Sequence, residues 1–227
     1  MEIRPIAFFK SPVSGKFGVP RQSGIAAGLK GEVRLLAPYD NPDALRGLEG
    51  FDYVWLIWEF SLNGPSENLT VRPPRLGGNE RVGVFASRSP FRPNPLGLSC
   101  VRIESVDAEK AIIHVLGADL TDGTPIYDIK PYVAYADSRP DARSGFVDDN
   151  EWHPLEVSVP VECAARLSDD ELSALKQILS CDPRPQYLDD PAREYGLFFA
   201  GRNVRFRVAD GVATVTGIEP YIHSSIA

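Results

Sequence analysis

The sequence predicts a mainly β protein, a barrel or a sandwich, that ends in a small α+β unit. The first two thirds of its 227 residues break into short segments, many rich in β-branched or aromatic residues and bounded by Gly, Pro or Asn. The last third holds the clearest helical period in the chain, followed by two alternating segments. A third observation excludes a competitor. No G-x-G-x-x-G follows an expected strand and no P-loop is present, so any nucleotide cofactor is held by something other than the Rossmann device.

In chain order, strands are expected at Arg4–Phe9, Glu32–Leu36, Tyr53–Phe60, Arg81–Ala86, Ser99–Val106 and Ala111–Gly117. Between the second and third, Asn41 caps a short helix that starts at Pro42 and carries Leu45 and Leu48. Residues 61–80, SLNGPSENLTVRPPRLGGNE, form a long connection rich in turn residues, a length that in compact domains marks function or disorder. A second such stretch, 137–154, contains FVDDNEWHP and reads as a linker, which divides the chain into residues 1–150 and 151–227. Beyond it, Ser168 and Glu171 form a capping box, and Leu172, Leu175, Ile178 and Leu179 line one face of a helix. The segment DPRPQY follows, and two strands are expected at Asn203–Val208 and Val212–Ile218.

Composition narrows the classes further. The longest apolar run, Tyr53 to Trp58, is far short of the roughly 20 residues of a membrane helix. The start, MEIRPIAFFKSPV, lacks the pattern of a signal peptide, so a cytoplasmic location is expected. Cys100, Cys163 and Cys181 share no CxxC spacing and His114, His153 and His223 are equally scattered, so neither a disulfide framework nor a metal site is expected. A net charge of −7 argues against a general nucleic-acid coat. Against that background, residues 71–102 carry Arg72, Arg75, Arg81, Arg88, Arg92 and Arg102 with Glu80 as their one acid. Arginine's planar fork suits carboxylates, phosphates and stacked bases, although a solvated loop accounts for such a cluster as well.

The segment SRSPFRPNPLGLS, residues 87–99, has too many prolines to be regular structure. Pro90, Pro93 and Pro95 fix their own φ and push Ser89, Arg92 and Asn94 toward extended geometry, so the loop is ordered before anything binds. A rigid corner between strands, or a polyproline ligand, are the alternatives for it. Two other stretches share this dense, aperiodic character. GVPRQSG, residues 18–24, presents Arg21 and Gln22, and LGADLTDGTPIYDIKPY, residues 116–132, places Asp119, Asp122, Asp128 and Lys130 around the turn at Gly123.

Taken together and in this order, GVPRQSG, TVRPPRLGGN, GVFASRSPFRPNPLGLS, DLTDGTPIYDIKPY and DPRPQY resemble the TsaA/TrmO (YaeB-like) family of S-adenosylmethionine-dependent tRNA methyltransferases. The resemblance implies a single-sheet β-barrel methyltransferase core, a small C-terminal α+β domain that contacts tRNA, and a homodimer. It implies a product methylated on N6 of threonylcarbamoyladenosine next to the anticodon. It also implies cofactor contacts at Pro20, Arg21, Gln22, Ser61, Leu62, Arg88, Leu98, Gly117, Ala118, Asp119 and Leu120. A His is common in the family where this chain has Ser61 and Leu62.

The chemistry asks for further groups. The lone pair of the nitrogen to be methylated is delocalised into purine and urea, so its proton must leave to an acceptor. Asp119, Asp122 and Asp128 are candidates, and Asp128 is the choice; the amide of Asn94, donor and acceptor side by side, suits the adenine edge. Arg92 or Lys130 is available for the threonyl carboxylate, Tyr132 as a stacking platform and Arg184, with Arg202, Arg205 and Arg207, as part of a basic face for the anticodon loop. A non-catalytic barrel that binds RNA or a protein partner, and the same transfer to another acceptor, remain open alternatives.

Overall fold

The computed structural model describes residues 2–77, 80–150, 153–184 and 190–221. In chain order it has β1 (Ala7–Lys10), β2 (Lys30–Leu35), helix α1 (Pro42–Leu45) and β3 (Tyr53–Glu59). The two-residue strands β4 (Thr70–Val71) and β5 (Val82–Gly83) precede β6 (Leu96–Asp107), β7 (Ile112–Leu116) and β8 (Pro125–Pro131). Helix α2 (Ala134–Asp137), β9 (Glu156–Ser158), α3 (Val161–Ala164) and α4 (Asp169–Ser180) follow, then β10 (Tyr195–Phe199), β11 (Arg202–Ala209) and β12 (Val212–Pro220).

The expected barrel is there, closed in the order β1-β2-β7-β6-β3-β8 with antiparallel pairing throughout. Strand alternation builds its core. Val54, Leu56 and Trp58 of β3 point inward with Val33, Ile113, Val115 and Ile126, whereas Tyr53, Trp55, Ile57 and Glu59 face out. Antiparallel order also sorts the connections. The C-terminal ends of β1, β3 and β7 share one mouth of the barrel with the N-terminal ends of β2, β6 and β8. Every connection that enters or leaves a barrel strand at that mouth therefore lies near the others.

The second sheet, β10-β11-β12-β9, packs against α4, whose Ala174, Leu175, Ile178 and Leu179 are buried. Ser168 and Glu171 make the expected capping box, and Asn41 caps α1. The hydrophobic cluster of this unit also takes in Val13, Ala26 and Leu29 from the connection between β1 and β2, so its core crosses the expected division at residue 150.

Several elements differ from expectation. The 81–86 segment is a two-residue strand followed by a 3-10 turn at Val84–Ala86, because it pairs only with the equally short β4. Pairing with β3 extends β6 back to Leu96, immediately after the last proline of the loop. Pro125–Pro131 is a barrel strand that no alternation announced, its prolines standing at its two ends. Pro185, Gln186 and Tyr187 of DPRPQY, Gly78 and Asn79, Glu151 and Trp152, and His223 lie outside the described residues.

Candidate functional site

Four connections meet at the mouth defined above: residues 11–29, the turn after β3, the 87–95 loop and the segment between β7 and β8. Together they carry most of the expected cofactor residues. Arg88 Nη1 donates to Gln22 Oε1, and Gln22 Nε2 donates to the Arg21 carbonyl at 2.6 Å. Gly24 N–H donates to the Gly117 carbonyl at 2.8 Å and Gly117 N–H to that of Leu29 at 2.8 Å, which stitches the 20–24 segment to the end of β7. Gly117 turns the chain there with φ of 76°, and a Cβ on it would stand 3.3 Å from Gly24 Cα.

Pro20, Ala118 and Leu120 are buried, and Asp119 between the last two reaches the barrel interior. Its Oδ1 accepts Ser99 Oγ–H at 2.5 Å, and Trp58 Nε1 donates to the same Ser99 Oγ at 2.9 Å. The indole of Trp58 lies flat over Gly97, where a Cβ would come within 2.3 Å of it. Asp119 as a residue is only half-buried, but its carboxylate is enclosed. Desolvation pushes its pKa above the ordinary value, against the lowering pull of the Ser99 hydroxyl, main-chain N–H groups and Arg88.

The proline-rich loop is braced from within. Arg92 Nη1 donates to the carbonyls of Ser87 at 3.2 Å and Ser89 at 3.3 Å, so part of its fork serves the loop rather than a ligand. The turn at Ser61 and Leu62 docks on it, with Phe60 N–H donating to the Pro95 carbonyl at 2.8 Å. Asn94 is exposed, Leu62 is 48% exposed and Leu98 59% exposed.

Asp128, Lys130 and Tyr132 stand apart from that mouth, on or beside the outer wall. The β3–β8 register shifts after Ile57, which leaves Asp128 opposite Ile57, itself opposite Leu98. The Asp128 carboxylate takes Lys130 Nζ at 2.8 Å and Ile129 N–H at 2.9 Å. Tyr132 packs its ring against Tyr53 and Trp55. Asp122, by contrast, is occupied by Ser11 N–H at 2.9 Å and Lys10 Nζ at 3.1 Å, a turn residue. Arg184 is held by Asp182, and Arg21 Nη2 reaches the carbonyls of Asp182 at 3.1 Å and Arg184 at 3.3 Å.

Sequence reasoning missed Ser99 and Trp58 as partners of Asp119, and the hydrogen bond from Tyr127 to Glu59, which pushes the Tyr127 pKa up to about 12. Ser99 had a signal: it falls in phase with inward Val101, a polar residue on an apolar face. The expected basic face of the second unit is corrected. Arg202 pairs with Glu171 of α4, Arg205 with Glu219 of β12 and with Glu194, and Arg207 with Glu194, because β11 lies between β12 and β10 and all three acids fold onto it. No metal-binding group of His, Cys, Asp or Glu and no helix long and apolar enough to cross a membrane occurs among the described residues.

The chain is similar to known proteins over nearly its whole length. Residues 8–138 match the family model for the tRNA-methyltransferase O N-terminal domain, and residues 153–221 that for the TrmO C-terminal domain. A tRNA (adenine(37)-N6)-methyltransferase of Escherichia coli is 40% identical over 96% of this chain and 98% of its own. The human protein of the same name is 36% identical over 81% of this chain and 41% of its own. A crystal structure of TrmO from Pseudomonas aeruginosa superposes with a TM-score of 0.80 at 32% identity, covering 97% of both chains.

Proposed function

The chain belongs to the TrmO family of tRNA methyltransferases, and we propose that it methylates N6 of threonylcarbamoyladenosine beside the anticodon of tRNA, with S-adenosylmethionine as methyl donor. The observation that carries this reading is the convergence of four separate connections at one barrel mouth. The residues gathered there fit the cofactor's chemistry. Arg88 offers a guanidinium for a carboxylate, Asp119 an enclosed carboxylate for a cationic group, and Leu98 and Leu62 exposed apolar surface. When bound, S-adenosylmethionine supplies an electrophilic methyl group on a sulfonium.

The chain's own residues do the rest. Pro20, Arg21 and Gln22, with Ser61 and Gly117–Leu120, complete the cofactor wall. Asp128 removes the N6 proton, and Lys130 Nζ at 2.8 Å holds its carboxylate in place. Leu98 and Asp128 flank Ile57 on adjacent strands, which by ordinary strand spacing leaves roughly 10 Å between their backbones, room for a nucleobase. Asn94 presents its amide to the adenine edge, Arg92 or Lys130 meets the threonyl carboxylate, and Tyr132 offers a ring for stacking. Residues 1–150 form the methyltransferase domain and residues 151–227 a smaller domain beside the tRNA. The exposed side chains Leu96 and Phe91 suit pairing of two copies, and the enzyme works in the cytoplasm as a homodimer without a metal.

Labelled S-adenosylmethionine incubated with tRNA that carries or lacks the threonylcarbamoyl group tests the reading. Label should enter only the modified tRNA, and label in neither tRNA would overturn the proposal. Asp128→Asn should lower kcat by about 100-fold with cofactor affinity unchanged. Near-normal turnover would remove Asp128 from the mechanism.

A further inference from the structure

The connection between β1 and β2 faces two ways. Its apolar residues Val13, Ala26 and Leu29 are buried in the core of the second unit, while Arg21 and Gln22 border the barrel mouth. The second unit grips this connection along its length. Ala200 N–H donates to the Pro12 carbonyl at 2.8 Å, and Gln177 Oε1 of α4 accepts Gly28 N–H at 2.8 Å. Between those points, Arg21 Nη2 donates to the carbonyls of Asp182 and Arg184 in the turn that follows α4.

That turn is itself stapled. Asp182 adopts φ of 47°, and its carboxylate receives Arg184 Nε at 2.8 Å and Nη2 at 2.9 Å, a two-pronged pair with side chains only 17% and 13% exposed. A continuous chain of contacts thus runs from the Asp182–Arg184 fork through Arg21 to Gln22 and on to Arg88.

We propose that Asp182 and Arg184 are positioning residues for the cofactor site, holding Arg21 and Gln22 in place through the shape of the 181–184 turn. The inference rests on the reading of residues 20–22 as cofactor contacts. Its physical basis is preorganisation: a connection across residues 11–29 tied at both flanks and at its centre loses little further freedom when a ligand arrives. The second unit then braces the cofactor site from behind, and the fork acts at a distance from the reacting atoms.

The test compares the full-length wild-type chain with Arg184→Ala, Asp182→Asn and the conservative Arg184→Lys. Calorimetric titration with S-adenosylmethionine, in the absence of tRNA, should show affinity falling by about tenfold in Arg184→Ala, the loss expected for one charge-assisted pair. Arg184→Lys should recover part of it. Hydrogen exchange of the peptide covering residues 18–24 should quicken in Arg184→Ala and Asp182→Asn without any ligand. A residue that only contacts tRNA gives the opposite split: the KM for tRNA rises while cofactor affinity and exchange stay at wild-type values, which overturns the proposal. If the wild-type chain takes up no S-adenosylmethionine, the methyltransferase reading fails, and the exchange comparison still decides whether the fork holds residues 18–24. Should Arg184→Ala not fold, Arg21→Lys removes the same contacts from the other side and is read by the same exchange measurement.

Discussion

The arginines of residues 71–102 and four arginines of the second unit are similar in kind and opposite in condition. Arg72, Arg75, Arg81, Arg88, Arg92 and Arg102 have no carboxylate within ion-pair distance among the described residues. They hydrogen-bond to neutral groups where they bond at all: Arg81 to Thr70 Oγ1, Arg88 to Gln22, Arg92 to carbonyls of its own loop. In the second unit, Arg184, Arg202, Arg205 and Arg207 each face a carboxylate. The more exposed of these pairs, those of Arg205 and Arg207, contribute little to stability, but they weaken the local field that would draw a phosphate backbone. A chain at −7 can therefore attract tRNA along one face, provided that face belongs to the barrel.

The sharpest way to break this comparison is at Arg88, where an arginine without a carboxylate partner also meets Gln22. Arg88→Ala should reduce kcat/KM by about 100-fold, and Arg88→Lys should restore little because a point charge does not replace a fork. A steady-state assay with cofactor held constant reads both. Removing Arg72 and Arg81 together should raise the KM for tRNA several-fold. It should also flatten the salt dependence of binding by about 0.7 per charge removed from a single-stranded contact. The matched double variant, Arg205→Ala with Arg207→Ala, should change tRNA affinity by less than about twofold, since its charges are already spent on Glu194 and Glu219. An equal effect of the two doubles would erase the distinction between the regions.

The smallest effect concerns the acid beneath Arg88. Burial raises the Asp119 pKa in the folded chain, so the unfolded chain ionises first as pH rises from the ordinary value of 3.8. Any stability that Asp119 gives is complete below that value and is lost as pH climbs toward the folded-state pKa. Asp119→Asn should flatten this part of the profile of melting temperature against pH, and an unchanged profile would mean that the carboxylate is better solvated than its surroundings suggest.

Much of this architecture was legible in the residues, and the exceptions share a cause. The Ser168 capping box, the Asn41–Pro42 start and the β-branched and aromatic run from Tyr53 are local signals; the first and last became the expected elements, whereas the helix at Pro42 stops at Leu45 and leaves Leu48 to a separate 3-10 turn. Pro125–Pro131 and Tyr195–Phe199 were unannounced as strands because their partners, Tyr53–Glu59 and Arg202–Ala209, supply the register. Arg81–Ala86 erred the other way: its apolar and small residues promise a strand, yet only β4 is there to pair with it. Among the site residues, Gln22 and Arg88 could be chosen from their motifs, while Ser99 needed the inward phase of β6 to become the partner of Asp119.

Composition, spacing and turn chemistry by themselves determined a β-rich chain, a stiff proline loop, an arginine-rich stretch and the order of motifs that resemble one family. Tertiary structure alone decided that Arg205 meets a carboxylate, because that ion pair depends on strand register between residues distant in sequence. It alone decided that four connections share one mouth, because antiparallel closure sends alternate strand ends to the same side. It also tied the 11–29 connection to the second unit, since buried apolar residues pack wherever a core can enclose them, whichever side of an expected boundary they come from.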